Sequence, residues 1–182
     1  MEHNTLFVNL FAGLGCGKST HAAGVFYELK KQNAKAEYIQ EYAKDATWRE
    51  DFFTLGCQPY ITGKQLFRQY RVNGKVDIAI TDSPLLIGLA YSGFGVTDSY
   101  RKWLVEAQAL FNNLNILLIR NTDVHPYQPY GRNQSEEQAK KIDGAIKIML
   151  DDYGIEYHVI QVGDNSLNEI LSLIEKNKLL KQ

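Results

Sequence analysis

The segment Ala12-Gly13-Leu14-Gly15-Cys16-Gly17-Lys18-Ser19 follows directly on the apolar run Leu6-Phe7-Val8-Asn9-Leu10-Phe11. A continuous apolar run closed by a glycine-rich turn and then Lys-Ser predicts a buried strand that leaves through a phosphate-binding loop into a helix. Gly13, Gly15 and Gly17 let the backbone turn tightly and aim its N–H groups inward; Lys18 can reach β- and γ-phosphates, and the Ser19 hydroxyl can hold Mg²⁺. The helix that follows adds the positive end of its dipole. Gly13, Gly15, Cys16, Gly17, Lys18, Ser19 and Thr20 are therefore the candidate contacts to a nucleoside triphosphate. The usual pattern opens on glycine, and this chain has Ala12 there, a difference of one methyl group.

The rest of the chain alternates strand and helix patterns. Helical periodicity covers residues 19–31, a short strand 36–40, two helical stretches 42–55 and 58–72, and a β-branched apolar strand 76–81 that ends at Asp82. Helices are predicted over 84–91 and 98–111 and a strand over 115–119, followed by a polar, proline-bearing loop over 120–134. Ser135-Glu136-Glu137-Gln138 has the form of a capping box opening a helix to about residue 153, with Gly154 placed to end it. A last strand, 157–162, and a last helix, 166–180, complete the order. This alternation implies an α/β fold of three layers around a central, mainly parallel sheet of about five strands. The 182 residues contain no linker-like stretch, so they are read as one domain, with acceptor-side helices over about 42–74 and a lid over about 120–135.

Bulk composition narrows the function classes. Twenty basic and 21 acidic side chains leave a net charge of −1, which does not favour an extended nucleic-acid surface. Cys16 and Cys57 lack metal-ligand spacing, and His3, His21, His125 and His158 show no helical pairing, so no metal site built from protein ligands alone is expected. The N-terminal residues are not a basic leader and no apolar stretch reaches bilayer length, so a soluble, cytoplasmic protein without a membrane partner is expected.

In a parallel sheet ligands gather beyond the carboxyl ends of the strands, where the phosphate loop, Glu41, Asp82 and Arg120 all fall. Phosphoryl transfer asks for a cation and Mg²⁺ on the nucleotide, an activated acceptor, and arginine for developing charge. Asp82 can organise the metal or take a hydroxyl proton; its alternative role is to cap the helix opened by Ser83-Pro84. Glu41 is a candidate general base, or else a solvated glutamate favoured by the helix dipole, with Asp45 a weaker substitute. Arg132, just before the capping box, suits a lid arginine, and Arg120 can help bind the nucleotide from its strand end. Either could instead be a surface arginine paired with Glu136 or Glu137. Lys64, Arg68 and Arg71 form a basic stripe that could hold a phosphate or a nucleic-acid backbone. Trp48, Phe52, Phe53, Tyr60, Phe67 and Tyr70 read mostly as core, with one or two free to stack on a base.

With these residues in place the chain resembles the P-loop kinases of nucleosides and nucleotides, nearest to the ribosylnicotinamide-kinase-like (AAA-type ATPase) family of small phage and bacterial proteins. The resemblance rests on Gly13 to Ser19, Glu41-Tyr42-Ala43, Thr81-Asp82-Ser83-Pro84 and Gly131-Arg132-Asn133-Gln134. It implies ATP and Mg²⁺ as co-substrate and cofactor, a catalytic set of Lys18, Glu41, Asp82 and Arg132, metal binding by Ser19 and Asp82, and a hydroxyl on a small nucleoside- or nucleotide-like acceptor. Asp82-Ser83 replaces the Asp-Arg common in thymidylate-type kinases, which points away from a monophosphate acceptor. The second domain of bifunctional relatives has no counterpart in these residues, so a stand-alone kinase is implied. Two other functions fit the same residues: an ATPase or nucleotide-gated interaction module, and a kinase acting on a hydroxymethylated base or a terminus within DNA.

Overall fold

The computed structural model describes residues 5–90, 93–121 and 136–179. Five strands, β1 (Leu6–Phe11), β2 (Ala36–Ile39), β3 (Ile78–Thr81), β4 (Asn112–Ile119) and β5 (His158–Gln161), form one sheet in the order β2-β3-β1-β4-β5. Every pairing is parallel, with Asn9 opposite Thr81 on one side and Asn115 on the other. Parallel strands need crossovers, and helices supply them on both faces. The expected three-layer α/β architecture is therefore the one observed.

β1 is buried along its whole length, which is why its sequence is apolar on both faces rather than alternating. Leu6, Val8 and Leu10 point into the layer made by α1 (Lys18–Lys31) and α7 (Ser166–Leu179), where they join Val25, Leu29, Ile170 and Ile174. Phe7 and Phe11 point the other way, toward Leu86, Leu104, Ile146 and Leu150 from α5 (Asp98–Ala109), α6 (Glu136–Asp152) and their neighbours. The period-two alternation of a strand thus splits one segment between two cores. No helix among the described residues is long and apolar enough to cross a membrane.

Three elements differ from the sequence expectation. Residues 42–55 form two short helices, α2 (Tyr42–Trp48) and α3 (Phe52–Gly56), because Glu50 takes a left-handed φ of 55° and Asp51 caps the next turn by accepting the Thr54 N–H at 3.0 Å. α4 (Gln58–Tyr70) follows, close to its expected span. Residues 84–91 were expected as an α-helix, and Leu85–Ala90 is a 3₁₀ helix in which Gly88 lies against the Thr62 and Tyr100 hydroxyls. β4 begins at Asn112 rather than 115: the side-chain amide of Asn9 donates to Asn113 and Asn115, each at 2.9 Å, so polar residues pair with one another within the sheet. Gly154 takes a φ of 62° just after α6. Residues 122–135, which hold most of the expected lid, Arg132 and Ser135 of the capping box, lie outside the described residues.

Candidate active site

The loop between β1 and α1 is built for close approach of backbone to ligand. Gly15 and Gly17 take φ values of 76° and 81°, which side-chain-bearing residues rarely adopt, and a Cβ at Gly17 would press on the His21 ring at 3.3 Å. Gly17 caps α1 without any side-chain acceptor, and no acidic residue occupies the first turn. The N–H groups at that end are thus not consumed by side chains of the cap. Ser19 and Thr20 are exposed beside them. Cys16 contributes backbone only: its thiol is buried, donates to the Leu118 carbonyl at 3.5 Å, and is pushed up to about 11, chiefly by burial and further by Asp143.

Lys18 folds back over the loop, donating from Nζ to the carbonyls of Ala12 at 2.7 Å and Gly13 at 2.9 Å. Burial lowers its pKa, and the carboxylates of Glu41 and Asp82 counteract that shift. The carboxylates of Glu41 and Asp82 are thus close enough to Lys18 to act on its charge.

Asp82 is 4% exposed, and the Tyr38 hydroxyl donates to its Oδ2 at 2.8 Å. Its Oδ1 is buried with no partner among the described residues. The capping alternative for Asp82 is not the arrangement found: Oδ2 takes the Tyr38 hydroxyl and Oδ1 caps no backbone N–H among the described residues. Burial, and then the charge of Asp82, push the Tyr38 phenol well up, while a hydrogen bond involving Ser19 pulls the other way. Tyr38 therefore stays a neutral donor and links Ser19 to Asp82. An orphaned carboxylate oxygen and a serine hydroxyl that meet the same tyrosine are oxygen donors of the kind a hard divalent cation takes, so these residues fit Mg²⁺.

Glu41 sits at the N-cap position of α2 and makes no capping hydrogen bond with its side chain. Burial raises its pKa, Lys18 lowers it and Asp82 raises it further. Glu41 is half-buried rather than fully solvated. Behind Glu41, buried Gln65 of α4 accepts the Tyr42 N–H at 3.0 Å and reaches Thr81 Oγ1 at 3.5 Å, tying the Glu41 turn to the strand that carries Asp82.

Arg120 is not a surface residue, and its ion-pair partner is Asp143. Its side chain is 8% exposed; Nε donates to Asp143 Oδ2 at 2.9 Å and Nη2 to the Leu14 carbonyl at 2.7 Å. Asp143, Tyr38 and Gln65 were missed by the sequence reading, because each acts through a partner far away in the chain. The basic stripe is also reassigned in part. Arg68 donates to the Gln40 carbonyl at 2.9 Å and to Asp45 at 2.6 Å, and lies over the Tyr42 ring, so it braces α4 against the turn after β2. This also makes Asp45 an ion-pair partner. The aromatic residues expected mostly in the core are exposed, Phe53 at 80% and Trp48 at 58% among them.

The sequence matches the model of a protein family described as AAA domain over residues 7–166. No curated protein matches the chain. Among solved structures, a crystal structure of NadR protein in complex with NAD and AMP-PNP superimposes with a TM-score of 0.64 at 13% identity, covering 96% of this chain and 50% of that one. This chain thus spans half the length of the NadR chain. A deoxyadenosine kinase from M. mycoides, with products dCMP and a flexible dCDP bound, gives 0.54 at 15% identity over 97% of this chain and all (100%) of that one. Shikimate kinase from Bacteroides thetaiotaomicron gives 0.51 at 12% identity over 97% and 99%. At these identities the likeness is one of fold.

Proposed function

The chain belongs to this AAA domain family, and from that premise we propose that it is an ATP-dependent kinase that transfers the γ-phosphoryl group to a hydroxyl of a nucleoside- or nucleotide-like acceptor. One observation carries the proposal. A cation on the phosphate loop, Lys18, shares its field with two carboxylates in different environments, one fixed by Tyr38 and one that makes no capping bond and is raised by burial. Two carboxylates whose surroundings differ in this way can divide metal holding from proton transfer. The nucleoside and shikimate kinases that share the fold are consistent with it.

In this mechanism the loop from Gly13 to Thr20 cradles the triphosphate, and Lys18 exchanges its two loop carbonyls for phosphate oxygens. Ser19 and Asp82 would hold Mg²⁺, which supplies charge neutralisation on the β- and γ-phosphates. Glu41 accepts the proton of the acceptor hydroxyl as its oxygen bonds to the γ-phosphorus and the bond to the β-phosphate oxygen breaks, leaving ADP. A carboxyl held above its ordinary range is better matched to that task near neutral pH. Arg132 would add positive charge from the lid, and the acceptor would lie against the helices of residues 42–74. The whole chain acts as one catalytic domain.

A second acceptor class is favoured by one observation: exposed Tyr60 and Phe67 share α4 with Lys64, which lies over the Tyr60 ring, and Trp48 is exposed nearby in the chain. Aromatic faces beside cations suit bases on a strand, so a DNA acceptor, through a hydroxymethylated base or a terminus, belongs in the same test. The test is transfer of label from γ-³²P-ATP with Mg²⁺ to a panel of nucleosides, ribosylnicotinamide, nucleoside monophosphates and hydroxymethylated DNA. Label in one acceptor class is the expected result. Label appearing only as inorganic phosphate, at one rate throughout, would replace the kinase proposal with an ATPase.

A further inference from the structure

Asp143 and Arg120 close a ring of interactions with the start of the phosphate loop. Asp143 lies on α6 and uses both carboxylate oxygens: Oδ1 accepts the Gly13 N–H at 2.7 Å, and Oδ2 accepts Arg120 Nε at 2.9 Å. Arg120 in turn donates from Nη2 to the carbonyl of Leu14, the next residue of the loop, at 2.7 Å. Three segments, the end of β4, the middle of α6 and the point where the chain leaves β1, are thereby held in one register. The remaining nitrogen, Nη1, is buried and has no partner among the described residues. A buried guanidinium in that state depends on its carboxylate partner for charge compensation.

The ring has a chemical logic. A carboxylate beside a triphosphate site would repel the ligand, yet here its charge is balanced by an arginine held on it. What Asp143 contributes is therefore geometry, by holding one loop N–H and fixing the arginine that holds one loop carbonyl. Its charge also reaches Lys18, for which it is a minor influence opposing the effect of burial.

We propose that Asp143 is a positioning residue for nucleotide binding: through the Gly13 N–H and Arg120 it sets the backbone of residues 13–14, and hence the shape in which the loop meets the triphosphate. The proposal rests on the nucleotide-binding function above. It would act on affinity for the nucleotide rather than on the acceptor, since no atom of the ring belongs to Glu41, Asp82 or the helices of residues 42–74.

The test compares wild type, Asp143→Asn and Asp143→Ala. It measures the Kd for the ATP analogue AMP-PNP with Mg²⁺, the split between KM for ATP and kcat, and the amide ¹H–¹⁵N shift of Gly13. A hydrogen bond to a charged group implies that Asp143→Ala weakens nucleotide binding by about tenfold or more, with a smaller loss for Asp143→Asn, which keeps one acceptor oxygen. The KM for the acceptor should stay at the wild-type value, and the Gly13 amide should move upfield as its charged acceptor is lost. Should Asp143→Ala fail to fold, Asp143→Asn decides the matter. Wild-type affinity in a folded variant, or an unmoved Gly13 amide, overturns the proposal. A wild-type protein that binds no nucleoside triphosphate would instead overturn the function on which it rests, an outcome distinct from equal binding by wild type and variants.

Discussion

The two sides of the site are built differently. On the nucleotide side the loop is held from several directions: Lys18 to two carbonyls, Gly13 to Asp143, Leu14 to Arg120, and His21 between the Gly17 carbonyl at 2.8 Å and Ser166 at 2.6 Å. On the proposed acceptor side, α2, α3 and α4 rest on separate long-range ties, among them Gln65 to the Tyr42 N–H, Arg68 to the Gln40 carbonyl and Asp45, and Thr62 to the Tyr100 hydroxyl. They leave Trp48, Phe52, Phe53 and Phe67 exposed. A triphosphate has one shape, which backbone held from several directions can match in advance. Acceptors differ, and side chains on short helices can change without disturbing the sheet.

Breaking the tied side should have the largest effect. Lys18→Ala is expected to lower both nucleotide affinity and turnover, the latter by roughly 10³-fold, measured as ADP release in saturating ATP. Arg132→Ala tests the proposed lid: turnover should fall by about 10²-fold or more while the Kd for nucleotide stays put, and unchanged turnover would remove Arg132 from the mechanism.

The pH profile separates the two sides next. Because burial holds Glu41 above the ordinary carboxylate range, its basic form accumulates only as pH rises through that raised value. The acid limb of kcat/KM should therefore lie at a higher pH than a solvated glutamate, near 4.3, would give. Lys18 is shifted the opposite way, so its charge should be lost below the pH at which an exposed lysine titrates, drawing in the alkaline limb. A profile flat across both regions would contradict these assignments.

Stability supplies the smallest contrast. Phe7→Ala empties a fully buried position facing Phe111 and should cost about 3–5 kcal/mol in urea unfolding. Phe67→Ala, on the exposed face of α4, should change stability by less than about 0.5 kcal/mol. A large loss at Phe67 would mean that the acceptor-side helices carry more of the fold than their exposure suggests.

What could be read from the sequence was local chemistry. The phosphate loop, its flanking strand and helix, and the acidic residues at the ends of β2 and β3 were legible because a strand pattern and the residue after it lie next to each other in the chain. Asp143 was not: it is 130 positions from Gly13 and looks like any polar residue on an amphipathic helix. Gln65 and Tyr38 were missed for the same reason. Asn112 to Asn115 misled because asparagines outside a strand and asparagines paired across one have the same composition. The aromatic residues of α2 to α4 misled because helical spacing reports which residues share a face, and says nothing of whether another element covers it.

The most direct measurement uses Glu41→Gln with whichever acceptor the labelling panel selects, recording the nucleotide Kd and the rate of phosphoryl transfer side by side. If the nucleotide side is complete in itself and Glu41 serves the acceptor, affinity for ATP should equal wild type while transfer falls by about 10²–10⁴-fold. Transfer at the wild-type rate, or a loss of ATP affinity matching the loss of transfer, would contradict that division.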